Sequence, residues 1–308
     1  MTGLELSRAF WEEYGRPMLD EKFPEYAERI AAGLVGHGSE CFGFDDEISR
    51  DHDYAPGFCL WITEDDERLI GFRLFRAYAS LPAEFHGISL KQSSAMGSGK
   101  KGVHTISEFY SAYTGCGGAP ETWQDWFYTP SFYFAEATNG EVFTDPLGEF
   151  TRIREIILNG MPSDVWRKKI ASKAIAMAQT GQYNYMRCIA HRESGAAQFA
   201  LCRFAQYSAE MIFLLNHAHA PYYKWLLRAM RKLPILGDRA DLLEKLLVSP
   251  AEPKQKAVWI ESLCADIAGE LVRIGLSPSL GDYLEPYAYA VNNTIENSEI
   301  RHLHVMQD

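Results

Sequence analysis

The spacing of apolar residues changes near residue 150, and that change constrains the fold more than any other feature. Before it, apolar runs are short and end in turn residues. They include AAGLV ahead of Gly36-His37-Gly38-Ser39, Phe58 to Ile62, and Glu141–Thr144 ahead of Asp145-Pro146. Runs of this length bounded by Gly or Pro predict strands, and a proline just past the last run stops it there. Helical spacing flanks them. Leu4, Phe10, Tyr14, Met18, Phe23, Tyr26 and Ile30 fall near one face, with Pro17 and Pro24 punctuating two helices. Residues 64–83 have helical spacing behind an acidic first turn. Residues 84–120 read as loop with short strands, and the aromatic stretch 123–138 as partly helical. After residue 150, long helical periodicities dominate: 163–191, 194–217, 221–232, 238–248, 253–275 and part of 280–302. The expected architecture is an α/β (α+β) domain with a mixed sheet over 1–155, its N-terminal helices at 4–35. An all-α helical bundle over 156–308 follows.

Composition excludes several classes. Lys and Arg number 30 and Asp and Glu 41, a net charge of −11 over 308 residues. Gripping a nucleic-acid polymer requires a basic face, so that partner is disfavoured. No apolar run reaches the roughly 18 residues of a membrane span, and the opening MTGLELSRAFWEEYGR lacks a signal-peptide core. The six cysteines are scattered with no CxxC pair, which predicts reduced thiols in a cytoplasmic protein.

The densest chemistry lies in GHGSECFGFDDEISRDHD, residues 36–53. Gly38-Ser39 is a small pair at a strand-to-helix turn, where backbone N–H groups can approach phosphate oxygens. Eleven residues on, Asp51 and Asp53 are two apart. In a strand they would share a face and form a hard-oxygen pocket for Mg²⁺. Alone, Gly-Ser carries little signal, and Asp-x-Asp is more often a solvated turn. Their combination with a later strand ending in Asp145 is stronger. Gly97-Ser98-Gly99-Lys100-Lys101 fails the phosphate-loop pattern and reads as a basic loop with a minor chance of reaching substrate. Asp45-Asp46-Glu47 reads as a solvated face or cap, and His217 and His219 as helix-end residues. Lys168, Lys169 and Arg187 are weaker cationic candidates. Lys224 and Arg228, four apart, share one helical face behind Pro221, which is expected in the first turn.

The residues GSECFGFDDEISRDHD, GEVFTDPLGEFTRIRE, MPSDVWRKKIA and APYYKWLLRA resemble those of an uncharacterised bacterial family of nucleotidyltransferase-like domains of unknown function. In layout the chain is similar to aminoglycoside and lincosamide nucleotidyltransferases. The resemblance implies a nucleotidyltransferase fold for the first domain and a magnesium-dependent reaction. A nucleoside monophosphate, AMP from ATP or from another NTP its analogue, passes to a hydroxyl of a small molecule or protein. On this chain it implies that Gly38 and Ser39 hold the β- and γ-phosphates and that Asp51 and Asp53 bind one or two Mg²⁺. Asp145 becomes the third metal-binding and catalytic carboxylate, with Glu141 the runner-up. Lys224 would bind phosphate and Tyr223 line the cleft. The chain departs from the family pattern in the extra residue of Ser49-Arg50-Asp51 and in His52 between the aspartates. Those departures motivate an alternative, a noncatalytic nucleotide-binding or antitoxin-like partner module of the same fold. A transferase acting on RNA ends is a third reading, disfavoured by the charge.

Overall fold

In the computed structural model, residues 1–48, 55–89 and 100–308 are described. The chain divides into two compact units, Met1–Glu121 with Tyr133–Gly160, and Thr122–Phe132 with Met161–Asp308.

The first unit is mixed α/β. Its strands are β1 (Ala31–Leu34), β2 (Cys59–Ile62), β3 (Glu84–Phe85), β4 (Ile88–Ser89), β5 (Gly102–Thr105) and β6 (Glu141–Thr144). Four of them make one sheet in the order β5-β2-β1-β6. β1 runs antiparallel to both β2 and β6, and β2 runs parallel to β5, so the sheet is mixed. β3 and β4 form a separate hairpin.

The run Phe58–Ile62 is apolar throughout because both faces of β2 are covered. Phe58, Leu60 and Ile62 turn to a core shared with α1 (Gly3–Phe10), α2 (Arg16–Lys22) and α3 (Glu64–Ala79), through Leu6, Phe10, Leu19, Ile70 and Leu74. Trp61 turns the other way. Its ring stacks on Phe150 with centroids 3.9 Å apart and meets Phe109 edge-on at 5.4 Å. Those partners belong to α4 (Ile106–Thr114) and α7 (Glu149–Asn159). Pro17 does not break the first helix as its position suggests. α1 passes through a π-helical turn, Trp11–Gly15, straight into α2. The wider turn changes the hydrogen-bond register just ahead of a residue with no N–H to give.

Helix α4 lies where a loop is expected. Thr105 begins it with a reciprocal cap. Its hydroxyl accepts from the Glu108 N–H at 3.0 Å, and the Glu108 carboxylate accepts from the Thr105 N–H at 3.1 Å. The same T-x-x-E spacing starts α1 at Thr2 and Glu5, and T-x-x-D starts α5 (Trp123–Tyr128) at Thr122 and Asp125. Helix α6 (Ser131–Thr138) then leads towards β6.

Every described element of the second unit is a helix. α8 (Ser163–Met177) continues through a π-helical stretch into α9 (Met186–Ala190). α10 (Ser194–Leu215), α11 (Tyr223–Met230), α12 (Ala240–Val248), α13 (Pro253–Arg273), α14 (Leu284–Asn293) and α15 (Ser298–His302) follow. Phe204, Ile212, Leu243, Ile260, Ile267 and Val291 are among its core residues. No helix of the described residues is long and apolar enough to cross a membrane.

Candidate functional site

The sheet register gathers several chain segments at one end. β1 ends at Leu34, which pairs with Glu141, the first residue of β6. Gly33 pairs with Cys59, the first residue of β2, and Cys59 pairs with Gly102, the first residue of β5. The end of β1 therefore meets the starts of the other three strands. Gly36-His37-Gly38-Ser39 turns away from this point into a short 3₁₀ helix, Ser39–Phe42. Ser39 thus stands at a strand-to-helix turn, as expected, and is half-buried.

The turn is clamped from β6. Asn139 accepts from the Gly36 N–H at 2.9 Å and donates to the Gly36 carbonyl at 2.7 Å. The Gly140 N–H donates to the Cys41 carbonyl at 2.7 Å. Arg154 donates to the Asn139 carbonyl at 2.6 Å and so holds the clamp from α7.

Beneath the turn lies a buried ion pair that sequence reasoning missed. Lys100 Nζ is 2.8 Å from Glu40 Oε1, and the two side chains are 6% and 7% exposed. Burial raises the Glu40 carboxyl, but the Lys100 charge and hydrogen bond, together with the Lys101 charge and a backbone hydrogen bond, hold the pKa below the ordinary value. Burial also works against the Lys100 charge. Cys41 and Glu40 outweigh it and hold that pKa above the ordinary lysine value. Lys100 is thus not the loop cation that its glycine- and serine-rich surroundings suggest. Its neighbour Lys101 donates to the Ala55 carbonyl at 2.5 Å, and burial pushes its pKa down. Burial raises the pKa of Glu136 on α6 and that of Tyr113 on α4.

The expected carboxylates are distributed unevenly. Asp51 and Asp53 lie outside the described residues, and the described chain resumes at Ala55, ahead of β2. Glu141 starts β6 at the turn's end of the sheet and pairs with Arg8. Asp145 follows Thr144, whose partner Ala32 lies towards the start of β1. At roughly 3.3 Å per residue, that is about 10 Å or more further along the strand. The Asp145 carboxylate accepts from the Thr151 N–H at 2.7 Å, and its carbonyl accepts from Gly148. It closes the turn into α7. Among the described residues, no three His, Cys, Asp or Glu side chains converge to hold a metal ion.

The remaining candidates belong to the second unit. Tyr223 and Lys224 open α11 and are exposed, with the Lys224 ammonium 5.1 Å from the Trp225 ring centre. Pro221 lies ahead of α11 rather than in its first turn. Lys168 and Lys169 are structural. Lys168 donates to Asn292 Oδ1 at 2.8 Å and the Leu303 carbonyl at 2.7 Å, and Lys169 donates to the Phe127 carbonyl at 2.8 Å. Arg187 lies over the Tyr183 ring at 4.9 Å. His217 stacks on Trp166 with centroids 4.6 Å apart.

Residues 126–226 match a family described as a domain of unknown function, DUF4037. That match covers about a third of the chain. It contains GEVFTDPLGEFTRIRE, MPSDVWRKKIA and most of APYYKWLLRA, but not the Gly38–Asp53 segment. No curated protein matches. A solved structure described as a nucleotidyltransferase-like protein from Exiguobacterium sibiricum 255-15 is similar at 12% identity. The likeness covers 84% of this chain and 79% of that one, with a TM-score of 0.36. The family match is to a domain of unknown function, as the resemblance implies.

Proposed function

We propose that this chain is a magnesium-dependent nucleotidyltransferase. It moves a nucleoside monophosphate, AMP from ATP, onto a hydroxyl of a small molecule or protein in the cytoplasm. The observation that carries the reading is the Gly38-Ser39 turn, clamped at the end of the sheet where the chain from Asp51 and Asp53 enters β2. A Cβ on Gly38 would lie 2.6 Å from Glu40 Oε2, and the backbone there has φ +111°. Such a position calls for glycine.

In this reading Gly38 and Ser39 bind the β- and γ-phosphates. Asp51 and Asp53 hold Mg²⁺ with a later carboxylate, and the register of β6 favours Glu141 for that place over Asp145. When bound, Mg²⁺ would neutralise charge on the α-phosphate and on the departing pyrophosphate. The acceptor oxygen bonds to the α-phosphorus as the bond to the β-phosphate breaks. Glu141 takes the acceptor's proton. Within the second unit, Lys224 is the phosphate-binding candidate, with Tyr223 beside it at the start of α11.

A noncatalytic nucleotide-binding module is the second reading. It is favoured by the commitment of the Asp145 carboxylate to the Thr151 N–H. A screen of the four NTPs against hydroxyl-bearing small molecules and proteins, read by mass, separates the two. The enzyme adds a nucleoside monophosphate to an acceptor and releases pyrophosphate. Saturable nucleotide binding with no added mass on any acceptor would favour the module.

A further inference from the structure

We propose that Lys100, held on Glu40 beneath the Gly38-Ser39 turn, is a positioning residue that presents this turn to nucleotide phosphates. The inference rests on the phosphate-binding role proposed for that turn.

Three observations support it. First, the pair is packed against the turn itself. A Cβ on Gly38 would meet Glu40 Oε2 at 2.6 Å and Lys100 Nζ at 2.9 Å. Second, Lys100 is anchored on both sides of the sheet end. Its side chain reaches the residue after Ser39, while its carbonyl accepts from the Cys59 thiol at 2.9 Å where β2 begins. Lys100, two residues ahead of β5, thus ties β2 to the turn after β1. Third, stability alone does not account for the charges. A buried ion pair is often no more stabilising than apolar residues of the same size. An ammonium against the backbone of this turn does something an apolar pair cannot. It places positive charge 2.9 Å from where a Cβ on Gly38 would lie, beside the backbone proposed to meet the polyphosphate. With three N–H donors, it can keep Glu40 while it polarises the turn. Its burial keeps it from touching the nucleotide directly, so it acts through Gly38 and Ser39.

The test is Mg·ATP binding by calorimetry on the full chain, with thermal melting measured alongside. The variants are Lys100→Arg and the neutral pair Lys100→Met/Glu40→Gln. The neutral pair is expected to melt within a few degrees of the wild type while its Kd rises about tenfold or more, the scale of one charge-assisted interaction. Lys100→Arg, which keeps the charge, is expected to recover most of the affinity. A purely structural role would tie affinity to melting temperature and leave the Kd of a well-folded neutral pair unchanged, and that result overturns the inference. Should the neutral pair not fold, the closer mimic Lys100→Gln/Glu40→Gln, assayed below its own melting temperature, supplies the same comparison. A wild type that binds no Mg·ATP would overturn the nucleotide reading itself, and the inference with it. Unchanged affinity in a folded neutral pair would overturn the inference alone.

Discussion

The two ends of the central sheet use their polar groups in opposite ways. At the end where β1 runs out, the chain turns through Gly36 and Gly38, and side chains from other segments support it: Asn139, Arg154, and Lys100 with Glu40. At the other end Asp145 closes its own turn, and its carboxylate is taken by the Thr151 N–H six residues on. A carboxylate already bound to a helix start is a cap. The turn at Gly36 and Gly38 is instead braced from behind by distant residues, as the proposed phosphate-binding role requires.

Substitutions can break or sharpen this contrast. The largest effect is expected at Gly140, which bonds β6 to the turn. A Cβ there would lie 2.0 Å from the Leu34 carbonyl oxygen, and its φ is +63°. Gly140→Ala should lower stability by on the order of 3 kcal/mol in urea unfolding. Wild-type unfolding would mean that the close approach of β6 to the turn is misjudged. Next is Asn139→Ala, which removes both hydrogen bonds to Gly36. A loss of about 1–3 kcal/mol is expected, with nucleotide affinity falling too. If affinity held, the clamp would be structural only. Asp145→Ala should cost about 1 kcal/mol, the usual worth of a cap, while Mg·ATP affinity follows the wild type. A collapse of affinity there would return Asp145 to the site and erase the contrast. The smallest stability change is expected from Lys224→Ala, exposed on α11, at under about 0.5 kcal/mol. A role on phosphate would show as weakened nucleotide binding at unchanged melting temperature.

Much of this was legible in the sequence because it follows local rules. The strand Glu141–Thr144 ends where Pro146 forbids pairing, and the Gly38-Ser39 turn stands between an apolar strand and a helical start. Long-range pairing was not legible. Lys100 sits after a run of Gly and Ser that reads as loop, sixty residues from the Glu40 it meets. Asp145 looked like a site residue because it ends a strand, but only the register of β6 against β1 tells which end of the sheet that is. Helix α4 did leave a local signal, the spacing of Thr105 and Glu108, which the neighbouring glycines obscured. Lys168 and Lys169 read as weaker phosphate-binding candidates by residue type, yet their neighbours in the second unit supply the acceptors they bond.

The account's central claim is transfer chemistry that depends on Asp51 and Asp53. Its most direct measurement is the transfer of label from α-labelled ATP to an acceptor found in the screen. The wild type, Asp51→Asn and Asp53→Asn should be compared at matched melting temperature. The account predicts transfer by the wild type, and none detectable by either variant although both fold. Transfer that survives both substitutions would contradict it.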